Sequence, residues 1–170
     1  MSTGPVDVYV SAGSNIEPAE NLQLAARELT RRFGRLHISP VYENAAVGFS
    51  GDAFLNCVFA FASELPPAAV VEVLEELHEL AGRVRGAESF APRTLDLDLL
   101  LYGDLIMPER PVRVPRDDIT QYAFVLRPLA DLAPELRHPV LGVTMAQLWA
   151  EFPGRDEPME RVMLRLDQAV

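Results

Sequence analysis

Two hydrophobic periodicities alternate along residues 7–102, and their order is the feature that most limits the fold of this chain. Four short apolar segments have the character of strands: 7–11, 36–42, 54–62 and 95–102. Two longer segments repeat apolar residues at helical spacing. Each begins at prolines that a first helical turn tolerates, Pro18 and Pro66-Pro67. The order strand, helix, strand, strand, helix, strand predicts an α+β fold with a ferredoxin-like βαββαβ core and an antiparallel sheet.

Each predicted helix has one apolar face that we expect to be buried. In the first helix these residues are Leu22, Ala25, Ala26, Leu29 and Phe33. In the second they are Val70, Val73, Leu74, Leu77 and Leu80, and Gly82 is expected to end that helix. A turn is expected at 12–15. After the core we expect a C-terminal extension, with extended chain over 107–115 and short helices near 121–131 and 144–151. Residues 1–170 are expected to form a single domain.

Composition argues against several classes of function. The net charge of -10 disfavours sequence-independent nucleic-acid binding, which needs a basic face. No apolar run approaches the roughly 18 residues of a membrane-spanning helix. The first residues also lack the basic and then apolar character of a signal peptide. Cys57 lies in an apolar run and is expected to be a small buried hydrophobe. We therefore expect a cytoplasmic protein that binds neither nucleic acid nor membrane.

The last predicted strand carries two carboxylates on one face. Side chains alternate along a strand, so Asp96 and Asp98 point to one side. The other side carries the residues expected in the core, which are Leu95, Leu97, Leu99 and Leu101. Two carboxylates about 7 Å apart along a strand repel each other unless a cation lies between them. Such hard oxygen ligands suit Mg²⁺, which takes only one or two carboxylates and shares the rest with water and substrate phosphates.

Three arginines lie just before this strand: Arg83, Arg85 and Arg93. Guanidinium groups match phosphate oxygens bidentately, so arginines beside a carboxylate pair indicate a polyphosphate site. Two aspartates that are simply exposed to solvent on an edge strand would show the same spacing. Both interpretations, a polyphosphate site and a solvated strand face, therefore stay open. The sequence contains no P-loop, kinase catalytic loop or Gly-x-Gly-x-x-Gly motif. The histidines are scattered without metal-ligand spacing, at His37, His78 and His138.

Segment 92–103, preceded by 82–85, resembles the 6-hydroxymethyl-7,8-dihydropterin pyrophosphokinase family of folate synthesis. Further matching pieces are 13–15 with 21–22, 54–56, 124–129 and 133–134, and the resemblance covers roughly residues 7–150. It implies a ferredoxin-like core, ATP as donor and AMP as product. The resemblance further implies that the hydroxymethyl oxygen of the pterin is the nucleophile that attacks the β-phosphorus. Chemistry of this kind depends mostly on positioning and electrostatics.

The resemblance also implies roles for individual residues. Two Mg²⁺ ions are held by Asp96 and Asp98, which form the catalytic set together with Arg83 and Arg93. Residues implied to bind the pterin are Phe54 and Phe124 on the two ring faces, Asn56 at the polar edge, and backbone groups around Asn44 and Val47. Residues implied to bind ATP are Arg85, Phe90, Arg93, Leu99, Arg113 and Arg116. The implied partners are these small molecules, and a monomer is expected.

The sequence departs from the family pattern mainly on the triphosphate side. Arg116 stands where the family usually has a histidine, and Tyr122 stands where it usually has an arginine. His78 replaces a glutamate that is common in the second helix of the family. In the family's catalytic loop, which lies between the second helix and the last core strand, Phe90 is an acceptable replacement for the usual bulky aromatic residue. Ser89 replaces an arginine that is frequent in the family. Arg116 could act as the missing cation. Besides an active pyrophosphokinase, two alternatives stay open: a diverged relative with another nucleotide or acceptor, and a pterin-binding protein with little activity.

Overall fold

The structure is a computed structural model that describes residues 4–44, 53–84 and 95–166. The strands and helices of the core are β1 Val6–Ser14, α1 Pro18–Phe33, β2 His37–Ile38, β3 Val41–Asn44, β4 Phe54–Ser63, α2 Pro67–Val84 and β5 Asp96–Tyr102. The C-terminal extension adds α3 Asp118–Gln121, α4 Ala123–Leu132, α5 Met145–Ala150 and β6 Glu160–Val162. No helix in these described ranges is both long enough and apolar enough to cross a membrane.

The strands form one sheet in the order β5-β1-β4-β3-β6, with β2 also paired to β4. Every pairing is antiparallel. If β2 and β3 are counted as one interrupted strand, the core reads βαββαβ and its strands have the ferredoxin-like arrangement. The predicted fold class is therefore confirmed.

Two apolar clusters cover opposite faces of this sheet. On β1, Val8 and Val10 are fully buried in the first cluster, while Tyr9 packs against the second. Helices α1 and α2 complete the first cluster, and α4 and α5 complete the second. Because alternate residues of a strand point to opposite faces, both layers are built from the same strands. Cys57 is buried in the first cluster, as predicted, and burial raises its pKa.

The helical faces follow the predicted periodicity. Leu22 and Leu29 of α1 and Leu74 and Leu77 of α2 are buried, together with the other expected positions except two. The exceptions, Phe33 and Leu80, are partly buried against the same core. Phe33 stacks on a phenylalanine of β4 with ring centroids 4.2 Å apart. The expected end of α2 at Gly82 is wrong, because the helix continues to Val84.

The predicted turn at 12–15 is also wrong, because β1 continues through Ser14. Gly13 and Ser14 still have partners on β4, so the ladder extends to the end of the strand. The turn comes after Ser14, and a side chain of α1 holds it in place. The buried Asn21 amide donates to the carbonyl of Ile16 at 2.7 Å and to Ser14 Oγ at 3.4 Å. This places the last residues of β1 at the edge of a pocket described below.

The predicted strand 36–42 is broken into β2 and β3 by Ser39 and Pro40. Proline cannot donate to a sheet ladder. Ser39 bridges the interruption, because its N–H donates to the carbonyl of Val58 at 2.9 Å and its Oγ accepts from the N–H of Val58 at 2.8 Å. Beyond the break, β3 resumes pairing with β4 and carries Tyr42 and Asn44 to the same end of the sheet.

Strand β5 has the predicted alternation only in its first half. Leu95, Leu97 and Leu99 are buried in the first cluster, as expected. The register against β1 shifts between Tyr9 and Val10, so a β-bulge changes the phase of the strand. Leu100 and Leu101 consequently both pack in the second cluster, and the assignment of Leu101 to the first face is wrong.

The stretch expected to be extended, 107–115, instead folds back on itself. Met107 and Val114 exchange two backbone hydrogen bonds, at 2.7 and 2.9 Å. The N–H of Arg116 then donates to the carbonyl of Leu100 at 3.0 Å, which fixes this loop along β5. The helices expected near 121–131 and 144–151 are present as α4 and α5, with α3 preceding them. Strand β6, which pairs with β3, was not predicted.

Candidate active site

A pocket of about 390 Å³ opens at the end of the sheet where β1, β4 and β5 lie side by side. This volume is in the range of small-molecule sites. The strands supply one wall and the helices α3 and α4 supply the other. The lining residues are Ser11, Ala12, Gly13, Asn44, Phe54, Asn56, Asp96, Asp98, Asp118, Phe124 and Val125.

Gly13 lies at the centre of this arrangement. It pairs with Asn56 of β4 on one side and with Asp96 of β5 on the other. A Cβ at this position would stand 2.8 Å from the Asn56 side-chain oxygen, which is too close for any real contact. The missing side chain therefore leaves room for the amide, and the sheet register brings an amide and a carboxylate to neighbouring places in one pocket.

The two asparagines form a hydrogen-bonded pair. Asn56 Nδ2 donates to Asn44 Oδ1, and Asn56 is almost completely buried. An amide carries two N–H donors and an oxygen with two lone pairs, so one mutual bond leaves further capacity on both side chains. Buried polar capacity facing a pocket gives a ligand specific directions in which to bind.

Phe54 begins β4 and Phe124 lies in the first turn of α4, and both contribute to the pocket. Tyr122, at the N-cap of α4, stacks on Phe124 with centroids 5.0 Å apart and planes inclined by 25°. From the sequence, Tyr122 was identified only as a position at which the family usually has an arginine. The structure adds an aromatic contact with Phe124, and such stacking favours a fixed ring orientation.

A contact network behind the pocket holds its two walls together, and sequence reasoning missed it. The Arg127 guanidinium of α4 lies 4.8 Å from the ring centroid of Tyr42 on β3 and 5.7 Å from that of Trp149 on α5. The hydroxyl of Tyr42 donates to Asp131 of α4. Tyr42 is two residues from Asn44, so cation–π attraction and this hydrogen bond fix β3 against the helix that carries Phe124.

Three carboxylates line the other side of the pocket: Asp96, Asp98 and Asp118. Arg116 lies among them, with Nη2 3.5 Å from Asp98 Oδ1 and Nε 3.2 Å from Asp118 Oδ2. Burial raises the pKa of Asp98 above its ordinary value, and the charges of Asp96 and Asp118 act in the same direction. The positive charge of Arg116 opposes this rise without cancelling it. Sequence reasoning missed Asp118, whose acidic character alone gave no signal.

These carboxylates fit a divalent cation. Their oxygens are hard ligands, and the raised pKa of Asp98 means that its negative charge lacks full compensation. The buried Nε of Arg116 lies 3.2 Å from Asp118 Oδ2 but is not aligned for a hydrogen bond with any group in the described part of the chain. No group of three or more histidine, cysteine or carboxylate side chains within the described residues is arranged to hold a metal by itself. A carboxylate pair that shares its ion with water and phosphate matches Mg²⁺.

The histidines serve other purposes. His78 Nε2 accepts the N–H of Leu97 at 2.8 Å. His138 Nδ1 accepts the N–H groups of Val140 and Leu141, both at 3.2 Å, and burial lowers its pKa. Both rings thus satisfy backbone donors.

The family model described as 7,8-dihydro-6-hydroxymethylpterin-pyrophosphokinase (HPPK) matches residues 9–134 of this chain. The chain belongs to the HPPK family. A 2-amino-4-hydroxy-6-hydroxymethyldihydropteridine pyrophosphokinase of Pseudomonas aeruginosa is 40% identical, with coverage of 78% of this chain and 83% of the relative. One of the same name from Synechocystis is 34% identical, with coverage of 85% and 80%. A crystal structure of wild-type Plasmodium falciparum HPPK-DHPS superposes with a TM-score of 0.69 at 14% identity, over 91% of this chain and 46% of that one.

The structure brings together six of the residues that the HPPK resemblance implied: Asn44, Phe54, Asn56, Asp96, Asp98 and Phe124. Arg116 joins them through its contacts with Asp98 and Asp118. Arg113 lies in a neighbouring pocket of about 330 Å³, and Leu99 is buried in the first cluster. Val47, Arg85, Phe90 and Arg93 lie outside the described residues. Arg83 lies in α2, and only its backbone is described.

Proposed function

We propose that this protein transfers the diphosphate group of ATP to the hydroxymethyl oxygen of 6-hydroxymethyl-7,8-dihydropterin, which gives the pterin diphosphate and AMP for folate biosynthesis. The observation that carries this proposal is the single pocket in which the Asn56 amide and the carboxylate of Asp96 flank Gly13. A ring-recognition surface and a cation-binding surface therefore adjoin, as transfer between a pterin and a metal-bound nucleotide requires. The relatives named above support the same reaction, and none of them supports the two alternatives.

On the pterin side, we infer that the ring lies between Phe54 and Phe124, with its polar edge on Asn56. Each stacked aromatic contact contributes about 0.5–1.5 kcal/mol beyond area burial. A buried amide gives discrimination, because a ligand without the matching donors and acceptors leaves the amide unsatisfied. Backbone groups around Asn44 and Val47 complete the recognition in this proposal.

On the metal side, Asp96 and Asp98 would hold two Mg²⁺ ions. When bound, Mg²⁺ neutralises charge on the phosphate oxygens and orients them for in-line displacement. The protein's own contribution is to hold both carboxylates on one face of a strand. Arg116 assists, because its nearby positive charge limits the rise in the pKa of Asp98 that burial causes.

On the phosphate side, we infer that Arg83, Arg93 and Arg116 bind the triphosphate, with Arg85, Phe90, Leu99 and Arg113 as further ATP contacts. Guanidinium groups that contact the transferred group can be worth about 10³–10⁵ in rate. Arg116 is well placed for this role, because its backbone is fixed on β5 and its side chain already reaches the carboxylates. The proposal places the reaction in the cytoplasm, carried out by a monomer on small-molecule substrates.

The proposal is tested by incubating the protein with ATP, Mg²⁺ and 6-hydroxymethyl-7,8-dihydropterin and separating the nucleotides. We expect AMP to form only when both substrates and Mg²⁺ are present. The Asp98→Asn variant keeps the shape of the side chain but loses its charge, and we expect no measurable turnover from it. Undiminished turnover of that variant would contradict the metal assignment, and wild-type protein that forms no AMP would contradict the proposed reaction.

A further inference from the structure

One side chain of α2 makes a direct hydrogen bond to the strand that carries the two metal-binding aspartates. His78 Nε2 lies 2.8 Å from the backbone nitrogen of Leu97, the residue between Asp96 and Asp98. The His78 side chain is only 6% exposed, and Leu97 is 2% exposed. Solvent therefore does not readily replace this contact.

The N–H of Leu97 needs such a partner because of its place in the sheet. Strand β5 lies at the edge of the strand order and pairs with β1 in the described part of the chain. Successive N–H groups of a strand point in opposite directions, so those that face away from β1 have no strand to bond with. An unsatisfied buried N–H costs about 1–3 kcal/mol. His78 supplies the missing acceptor at the one peptide that joins Asp96 to Leu97.

The hydrogen bond fixes the state of the imidazole ring. A backbone N–H only donates, so His78 Nε2 is the unprotonated nitrogen and Nδ1 carries the proton of the neutral ring. Nδ1 faces Glu75 Oε2 at 3.3 Å, one turn earlier on α2. This chain of contacts runs from an exposed carboxylate through the ring to the backbone of β5. A neutral acceptor holds the strand without adding negative charge beside Asp96, Asp98 and Asp118.

We propose that His78 is a positioning residue for the metal-binding carboxylates: it fixes the Asp96–Leu97 peptide and thereby the distance between the carboxylates of Asp96 and Asp98. The inference rests on the proposed role of these aspartates. Groups that hold metal ligands in place from the second layer commonly contribute 10–100-fold to metal affinity. His78 acts in this way through the main chain.

The test uses the full chain with three substitutions. His78→Leu removes the acceptor at similar volume, and His78→Gln keeps an acceptor oxygen at the end of the side chain. His37→Leu is the matched control, because His37 is an exposed histidine of β2 on the far side of the sheet order. Amide hydrogen exchange at Leu97 is measured by NMR. Binding of Mn²⁺ is measured by electron paramagnetic resonance with the protein saturated with α,β-methylene-ATP, an analogue that supplies the phosphate ligands but cannot transfer its diphosphate.

For His78→Leu we expect Leu97 exchange to accelerate about tenfold and Mn²⁺ affinity to fall about tenfold. We expect His78→Gln to restore both values to within about twofold and His37→Leu to change neither. In steady-state kinetics the Mg²⁺ concentration required by His78→Leu rises, while KM for the pterin is unchanged. A general loss of structure would instead raise both the required Mg²⁺ concentration and KM for the pterin. If His78→Leu does not fold, His78→Asn gives the same comparison, since its shorter amide cannot reach Leu97.

Unchanged Mn²⁺ affinity in His78→Leu, together with faster Leu97 exchange, would overturn the positioning role and leave the proposed function intact. Unchanged Leu97 exchange would overturn the hydrogen bond itself. Absence of Mn²⁺ binding by the wild-type protein would overturn the metal assignment of Asp96 and Asp98, and with it this inference. These failures are therefore distinguishable.

Discussion

Replacement of Gly13 by alanine tests how closely the pocket is built around Asn56. The new Cβ would stand 2.8 Å from Asn56 Oδ1, about 0.6 Å short of the 3.4 Å at which ordinary contact begins. Asn56 cannot retreat freely, since it is buried and bonded to Asn44. The backbone at Gly13 does not have the positive φ that favours glycine, so alanine adopts it without strain. The substitution therefore moves the amide and leaves the strand intact.

The expected magnitude follows from this displacement. Misplacement of a recognition group by about 1 Å can cost 10²-fold, and a polar group left without its partner costs about 1–3 kcal/mol. For Gly13→Ala we expect the Kd of 6-hydroxymethyl-7,8-dihydropterin to rise about 10- to 100-fold. Alanine in a strand gains about 0.5–1 kcal/mol over glycine, which offsets the crowding, so the free energy of unfolding changes by less than about 1 kcal/mol.

Isothermal titration calorimetry measures the affinity for the pterin and, in a separate titration, the affinity for MgATP. MgATP affinity is expected to stay within about twofold of the wild type, because the displaced group faces the pterin. Gly82→Ala is the control: nothing lies within 4 Å of a Cβ at that helical position. It should raise stability by about 0.5–1 kcal/mol without changing pterin affinity. Equal losses of pterin and nucleotide affinity in Gly13→Ala, or no loss of either, would refute the reasoning.

Three further predictions concern the charges and the wall behind the pocket. Asp98→Asn removes a carboxylate whose ionised form is disfavoured by burial and by neighbouring acids, so the free energy of unfolding at pH 7, measured by urea denaturation, should rise. Because the pKa of Asp98 lies above 3.8, protons compete with the cation earlier than at an ordinary aspartate. As the pH decreases, Mn²⁺ affinity should accordingly begin to fall at a higher pH than an ordinary aspartate would give, and an onset at the pH of an ordinary aspartate would contradict this prediction. Tyr42→Phe removes the hydrogen bond to Asp131, and it should lower the free energy of unfolding by about 1 kcal/mol and weaken pterin binding. An unchanged denaturation midpoint would contradict the role of this hydrogen bond in holding β3 against α4.

The fold was predictable because its elements have distinct periodicities. The apolar faces of α1 and α2 and the alternation from Leu95 to Leu99 each identify one buried side. The bulge near Leu100 was not predictable, since a run of three leucines contains no polar residue from which to read the phase. The break at Pro40 was not predicted, since the second strand was expected to run unbroken over 36–42, and the contacts of Ser39 with Val58 show how the sheet continues past the break.

The site was predictable where a short motif carries it. Asp96 and Asp98 share a face by strand spacing alone, and the resemblance supplied Phe54, Asn56 and Phe124. The contacts of Arg116 with Asp98 and Asp118 depend on a loop that returns to β5 through backbone hydrogen bonds, and no local pattern encodes this return.

The role of His78 was likewise not predictable, because its partner is a backbone N–H of a strand 19 positions later. A sequence position identifies a side chain but not the main-chain group that it meets.

The most direct test of the central claim follows the β-phosphorus of ATP. Wild-type protein is incubated with Mg²⁺, the pterin and ATP labelled at the β-phosphoryl group, and the products are separated. Transfer of the diphosphate as one unit places the β-label in the pterin product, in amounts equal to the AMP released. Label that remains in ADP, with a pterin monophosphate as the other product, would contradict pyrophosphoryl transfer.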